Sequence, residues 1–123
     1  MGYGAKGLND YVDDVSAWCE RKGWREDVRS ERPNSAGDLL MLVVTELAEA
    51  LEEVRDHHGL NEVCHVEDKH GRQRPGGVPI ELADVLIRIF DIAGRWNIDL
   101  EAVVREKMAY NEDRPYKHGG RAL

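Results

Sequence analysis

Long hydrophobic runs are missing from this chain of 123 residues. The longest uninterrupted apolar stretch, LLMLVV at positions 39–44, is far too short to cross a bilayer, so no membrane partner is expected. Cysteine is scarce: only Cys19 and Cys64 occur. A helical chain of this kind needs no disulfide staple, so a reduced, cytoplasmic setting is expected rather than secretion. The opening MGYGAKG has neither the apolar segment of a signal peptide nor the Ser/Thr of a myristoylation site. Positive charge is in deficit, with 17 Lys and Arg against 24 Asp and Glu and a formal net charge of -7. That balance argues against a nucleic-acid backbone as the partner. Small anions that bring their own divalent cation stay compatible with it. No internal repeat or low-complexity block is present.

A hydrophobic share of 41% beside 33% charged residues suits one soluble globular domain over residues 1–123. Hydrophobic periodicity predicts four helices. The first covers 8–21, with Leu8, Tyr11, Val12, Val15, Trp18 and Cys19 at helical spacing and Gly23 as its stop. A charged linker, WREDVRSERPN, follows. The second runs over 35–58, opened by Ser35 and Asp38 as an N-cap signal and closed by Gly59. Its first half is apolar all round, which predicts burial on all sides. Residues 60–78 carry Gly71, Pro75, Gly76 and Gly77 and read as a long flexible loop with a small hairpin turned at DKHG. The third helix starts near Pro79 and ends near Asn97. Asp99 caps a fourth that ends near Asp113, before a basic tail over 114–123. The fold class is therefore all-α, a four-helix, bundle-like domain with a long loop between the second and third helices.

Within these helices the acids are not scattered. Glu46 and Glu49 form an E-x-x-E, and Glu81 and Asp84 an E-x-x-D, each inside an apolar run. Positions three apart lie about 60° apart around a helix, so each pair projects two carboxylates from one face. Like charges in a poorly hydrated place must protonate or find a cation. A hard divalent ion is the simplest compensation, and Mg²⁺ fits best, with Mn²⁺ as a substitute. On the third helix Glu81, Asp84, Arg88 and Asp91 make one narrow stripe among apolar neighbours. The alternative for that stripe is a solvated face with Arg88 bridging the acids. Glu53 extends the acidic face of the second helix in the same way. If the two helices face each other, four carboxylates meet at one site.

The fourth helix carries Lys107, Asn111 and Arg114 on one face, suited to phosphate oxygens; the alternative is ordinary surface charge. His57, His58, His65, His70 and His118 form no zinc spacing with the cysteines. The two E-x-x-H matches, Glu62/His65 and Glu67/His70, fall in the Gly/Pro-rich loop rather than on core helices. Trp18, Trp24 and Trp96 read as core or interface residues. Trp24, beside the linker, is the one carried forward as a substrate contact.

The segments LLMLVVTELAEALEE, IELADVLIRIFDIA and KMAYNEDRPYKHGG together resemble the MazG-like, all-α nucleoside triphosphate pyrophosphohydrolases over residues 35–118. That family's pattern is E-E-x-x-E, a spacer, E-x-x-D and, in many members, K-x-x-x-N-x-x-R. The resemblance implies Mg²⁺ ligands at Glu46, Glu49, Glu81 and Asp84. It implies triphosphate contacts from Lys107, Asn111 and Arg114. It also implies homodimers or homotetramers with sites near subunit interfaces. The implied reaction cleaves an NTP or dNTP between the α and β phosphates, giving a nucleoside monophosphate and pyrophosphate. Glu46 or Glu49 would accept the proton of the attacking water, and Lys107 and Arg114 would stabilise the leaving group. Two departures stand out: Thr45 occupies a position where many members have glutamate, and the spacer over 50–80 is long. A phosphoribosyl-ATP pyrophosphohydrolase, or an idle nucleotide- or metal-binding helical oligomer, are the alternatives.

Overall fold

The computed structural model describes residues 5–25 and 35–116. Among the described residues four helices are present: α1 (Leu8–Arg21), α2 (Ala36–Arg55), α3 (Val78–Arg95) and α4 (Leu100–Glu112). Two short strands, β1 (Cys64–Glu67) and β2 (Gln73–Gly76), stand between α2 and α3. The described residues are therefore mostly helical, which broadly fits the all-α class, with one small two-stranded sheet. The linker beyond Arg25 and most of the basic tail lie outside the described residues.

Helix ends follow from local chemistry. The Ser35 hydroxyl accepts from the Asp38 amide at 3.2 Å, and the Asp38 carboxylate accepts from the Ser35 amide at 3.3 Å, a reciprocal cap for α2. α2 stops at Arg55, a turn earlier than Gly59 predicts. His57, at φ 63°, takes the left-handed position instead. The His58 amide then reaches the Glu53 carbonyl at 3.2 Å and the His57 amide the Val54 carbonyl at 3.0 Å, which satisfies the free carbonyls. α3 closes the same way, with Asn97 at φ 53° and the Ile98 amide on the Ala93 carbonyl at 2.9 Å. Asp99 caps α4 by accepting from the Ala102 amide at 3.1 Å.

α3 is the central element. It packs on α1 and on α2, whereas α4 touches α1. The core joins Val12, Val15 and Cys19 of α1 to Phe90 and Ala93 of α3, with Leu8, Ile87 and Leu100 around it. Tyr11 stacks on Phe90 at 5.8 Å between ring centroids. α4 buries no residue and is tied down at its start: Asn9 donates to Asp99 at 2.9 Å and exchanges hydrogen bonds with Glu101 at 3.0 and 3.2 Å.

Burial on all sides of α2 does not occur within one chain. Leu40, Val44, Leu47, Leu51 and Val54 form a stripe at helical spacing, each between 42% and 53% exposed. Leu82 and Leu86 of α3 are exposed to the same degree.

The 60–78 segment is built as a hairpin, antiparallel with His65 opposite Pro75 and Val66 opposite Arg74. Asp68 organises the turn. Its carboxylate accepts from the His70 and Arg72 amides at 2.8 and 2.9 Å, and these bonds hold its pKa below the ordinary value. Gly71 supplies the positive φ of 75°. The hairpin hands over to α3 at Gly77, which has φ 106°. A Cβ there would lie 2.4 Å from the Glu62 carbonyl oxygen. Gly77→Ala is therefore expected to destabilise the protein by about 2–4 kcal/mol, read as a lowered Tm. Gly76→Ala, whose Cβ would meet only the Cys64 Sγ at 3.4 Å, should be nearly silent. Equal melting of the two variants would show that Gly77 does not constrain the junction.

Candidate metal centre

α2 and α3 pack side by side, and that packing brings the acidic pairs together. One carboxylate oxygen each from Glu46, Glu81 and Asp84 falls within 4.8 Å of the others. All three side chains are half-buried. The donor set is three hard oxygens without nitrogen or sulfur, which could hold a hard divalent cation. Ligands on opposite sides of Mg²⁺ lie about 4.2 Å apart, so the cluster fits the ion with small side-chain shifts.

Glu49 does not join this group. It is exposed, one turn along α2 from Glu46, and its charge still bears on Glu81. Thr45 is exposed and donates its hydroxyl proton to the Leu42 carbonyl at 2.7 Å, so it looks back onto its own helix.

Burial raises the pKa of Glu81, and the neighbouring Asp84, Glu46, Glu49 and Glu53 push it further the same way. Burial also raises Asp84, helped by Glu46 and opposed by the Arg88 guanidinium. Arg88 donates from Nε to Glu46 at 3.1 Å. The Arg88 side chain is 42% exposed and that of Glu46 only 15%.

A cavity of about 330 Å³ opens beside the cluster. Glu46, Asp84 and Arg88 line it together with Trp18, Trp24, Leu39 and Leu42. Trp18 and Trp24 meet edge to face at 4.6 Å. Trp24 is held by its amide on the Cys19 carbonyl at 3.0 Å and presents an exposed ring. The far wall is a clamped carboxylate. Asp91 accepts from Arg25 at 3.0 and 3.1 Å and from Arg95 at 2.9 Å. Arg25 also donates to the Ser16 hydroxyl at 3.0 Å. Gly94 makes room for this, because a Cβ there would lie 2.1 Å from Ser16 Oγ and 3.1 Å from Arg25. Cys19, whose thiol burial and the Asp91 charge push up in pKa, packs into the same wall.

The cations expected on α4 are elsewhere. Lys107, Asn111 and Arg114 are exposed and do not line the cavity. Lys107 lies over the Tyr110 ring at 4.7 Å, a partner on its own helix. The cavity instead is lined by Arg88 and Asp91, which the sequence placed in the narrow stripe without a role of their own, and by Trp18, which it read as core or interface. Their signal was the narrow stripe on α3 and the i, i+4 pair of Asp91 with Arg95.

The raised carboxyls fix a pH dependence. Ordinary values are 4.5 for Glu81 and 3.8 for Asp84, and the folded values lie above them. In the window above those ordinary values the native state holds more protons than the unfolded chain. Stability from this pair is present at low pH and is lost as pH rises through the raised values. In metal-free buffer, Asp84→Asn should therefore gain Tm relative to the wild type as pH climbs from about 4 to 7. Saturating Mg²⁺ should raise the Tm of the wild type but not of the variant. A Tm difference flat across this range would mean that the acids titrate as solvated groups.

Comparison of the chain with protein-family models, with curated proteins and with solved structures finds no match.

Proposed function

We propose that the protein is a Mg²⁺-dependent nucleoside triphosphate pyrophosphohydrolase of MazG-like type, releasing pyrophosphate and a nucleoside monophosphate. One observation carries the reading: three carboxylate oxygens lie within 4.8 Å of one another, and two of the three acids, Glu46 and Asp84, line a cavity that two tryptophans line as well. A nucleotide has that same polarity, a polyanion that needs cations and a flat base that stacks. Glu46, Glu81 and Asp84 would hold the metal. When bound, Mg²⁺ neutralises polyphosphate charge and activates water for attack. Glu49, outside the three-carboxylate group yet close enough to influence Glu81, is the carboxylate free to take the proton. Trp24, exposed at the cavity edge, offers the face for a base.

Lys107, Asn111 and Arg114 fit this reaction through assembly. Within one chain they do not line the cavity, so a second copy is needed to bring such cations to it. The apolar stripe on α2 gives that copy a place to bind, since contiguous apolar surface of this kind marks an interface. Light scattering at micromolar concentration should give a dimer or larger mass, and Leu47→Glu should shift it to the monomer. A monomeric wild type would remove α4 from the mechanism.

Activity is tested by incubating the protein with Mg²⁺ and each NTP and dNTP and measuring released pyrophosphate. Asp84→Asn and Glu81→Gln keep shape and remove one ligand charge, and each should lower the rate about a hundredfold or more. Mg²⁺ binding without pyrophosphate release from any nucleotide would leave a binding module in place of an enzyme.

A further inference from the structure

The carboxylate cluster already has a cation on it. Arg88 Nε sits 3.1 Å from Glu46 Oε1, and Glu46 is one of the three residues whose oxygens converge. Two arginines line the cavity, and they are held differently. Arg95 is 19% exposed and is fixed on Asp91, which Arg25 clamps from the other side. Arg88 is 42% exposed, with a single-nitrogen contact to Glu46. A guanidinium carries five N–H donors, so beyond its one hydrogen bond Arg88, which lines the cavity, keeps donors for a further acceptor.

From this contrast we infer that Arg88 is an exchangeable counter-ion. It balances Glu46 while the cluster holds no metal, yields that carboxylate to an arriving divalent cation, and then takes a phosphate oxygen of the nucleotide in the cavity. This rests on the cation reading of the cluster. Charge conservation gives the exchange its direction. Three carboxylates with one arginine carry a residual negative charge that attracts the ion. Once the ion takes over Glu46, the Arg88 guanidinium loses that carboxylate partner, and a phosphate oxygen in the cavity is the acceptor that replaces it. Arg95 cannot do this without abandoning Asp91, a half-buried acid that would lose one of its two partners.

The exchange is tested by binding, without turnover. Mn²⁺ affinity is measured by electron paramagnetic resonance for wild type, Arg88→Gln, Arg88→Lys and Glu46→Gln. The affinity of an α,β-imido nucleoside triphosphate is then measured by calorimetry at saturating Mn²⁺, with folding checked by circular dichroism. Removing the competing cation should tighten Mn²⁺ several-fold in Arg88→Gln, while imido-nucleotide binding weakens about tenfold or more. Arg88→Lys should stay near wild type for Mn²⁺ and recover part of the nucleotide affinity. Glu46→Gln should weaken Mn²⁺. If wild type binds Mn²⁺ and Arg88→Gln binds it no tighter, the counter-ion role is overturned. Unchanged imido-nucleotide affinity in Arg88→Gln overturns the phosphate role. Absence of Mn²⁺ binding by wild type would fell the metal reading itself, and this inference with it.

Discussion

Three acids share a space in which they cannot all be comfortable. Glu46, Glu81 and Asp84 converge within 4.8 Å because α2 and α3 pack against each other along the faces that carry them. At that separation and an effective dielectric of about 20, each pair repels by roughly 3 kcal/mol. A whole domain has a net stability of only about 5–15 kcal/mol. The cluster therefore has to be compensated, and the surrounding structure shows how. Two of its carboxyls are pushed toward protonation, and the third is paired with Arg88. Neither device removes the crowding. A bound divalent ion would do so, at a site open to a cavity large enough for a ligand.

The arginines around the cavity divide the work. Arg25 and Arg95 converge on Asp91 and turn a charged group into a fixed wall. That wall exists because Gly94 lets Ser16 and Arg25 approach α3. Its rigidity positions the Trp18 and Trp24 pair, since Arg25 follows Trp24 directly in the chain and anchors it. Arg88 is hydrogen-bonded to one acid, Glu46 on the neighbouring helix, acts on Asp84 of its own helix through charge, and lines the cavity. Rigid and exchangeable charges are thus placed on consecutive turns of one helix, at positions 88, 91 and 95.

Much of this was legible in the residues. The four helices, the Ser35 and Asp99 caps and the acidic pairs follow from periodicity and capping chemistry, which are local. What failed to show was set by angle and by partner. Three-residue spacing puts Glu49 about 60° from Glu46, enough to leave Glu49 in solvent while Glu46 turns inward. The early stop of α2 depended on His57 adopting a conformation that composition assigns to Gly59. The hairpin turned at DKHG was legible from its turn residues, Asp68 and Gly71; only the extent of its strands, CHVE and QRPG, was not, because they are too short and too polar to show a period of two. The all-apolar LLMLVV run promised burial but could not say whether the burying surface belongs to the same chain. Lys107 and Asn111 lie on α4 four residues apart, whereas Arg114 follows the helix end at Glu112, and spacing says nothing about where such a face points.

That last gap joins assembly to the site through α2. Glu46 sits one residue, or about 100°, from Leu47 in the exposed apolar stripe. The same 20-residue helix therefore presents a carboxylate of the acidic cluster on one side and an exposed hydrophobic row on the next. Any partner that covers Leu47 and Leu51 comes to rest beside the carboxylates. It would strip water from their surroundings, and lower hydration strengthens both their mutual repulsion and their attraction for a cation. Covering the stripe would then make an ion-free cluster less tolerable and an ion-filled one more stable. By reciprocity, cation binding would favour assembly by the same free energy. A helix with either feature alone would carry no such coupling; it comes from having both on adjacent faces.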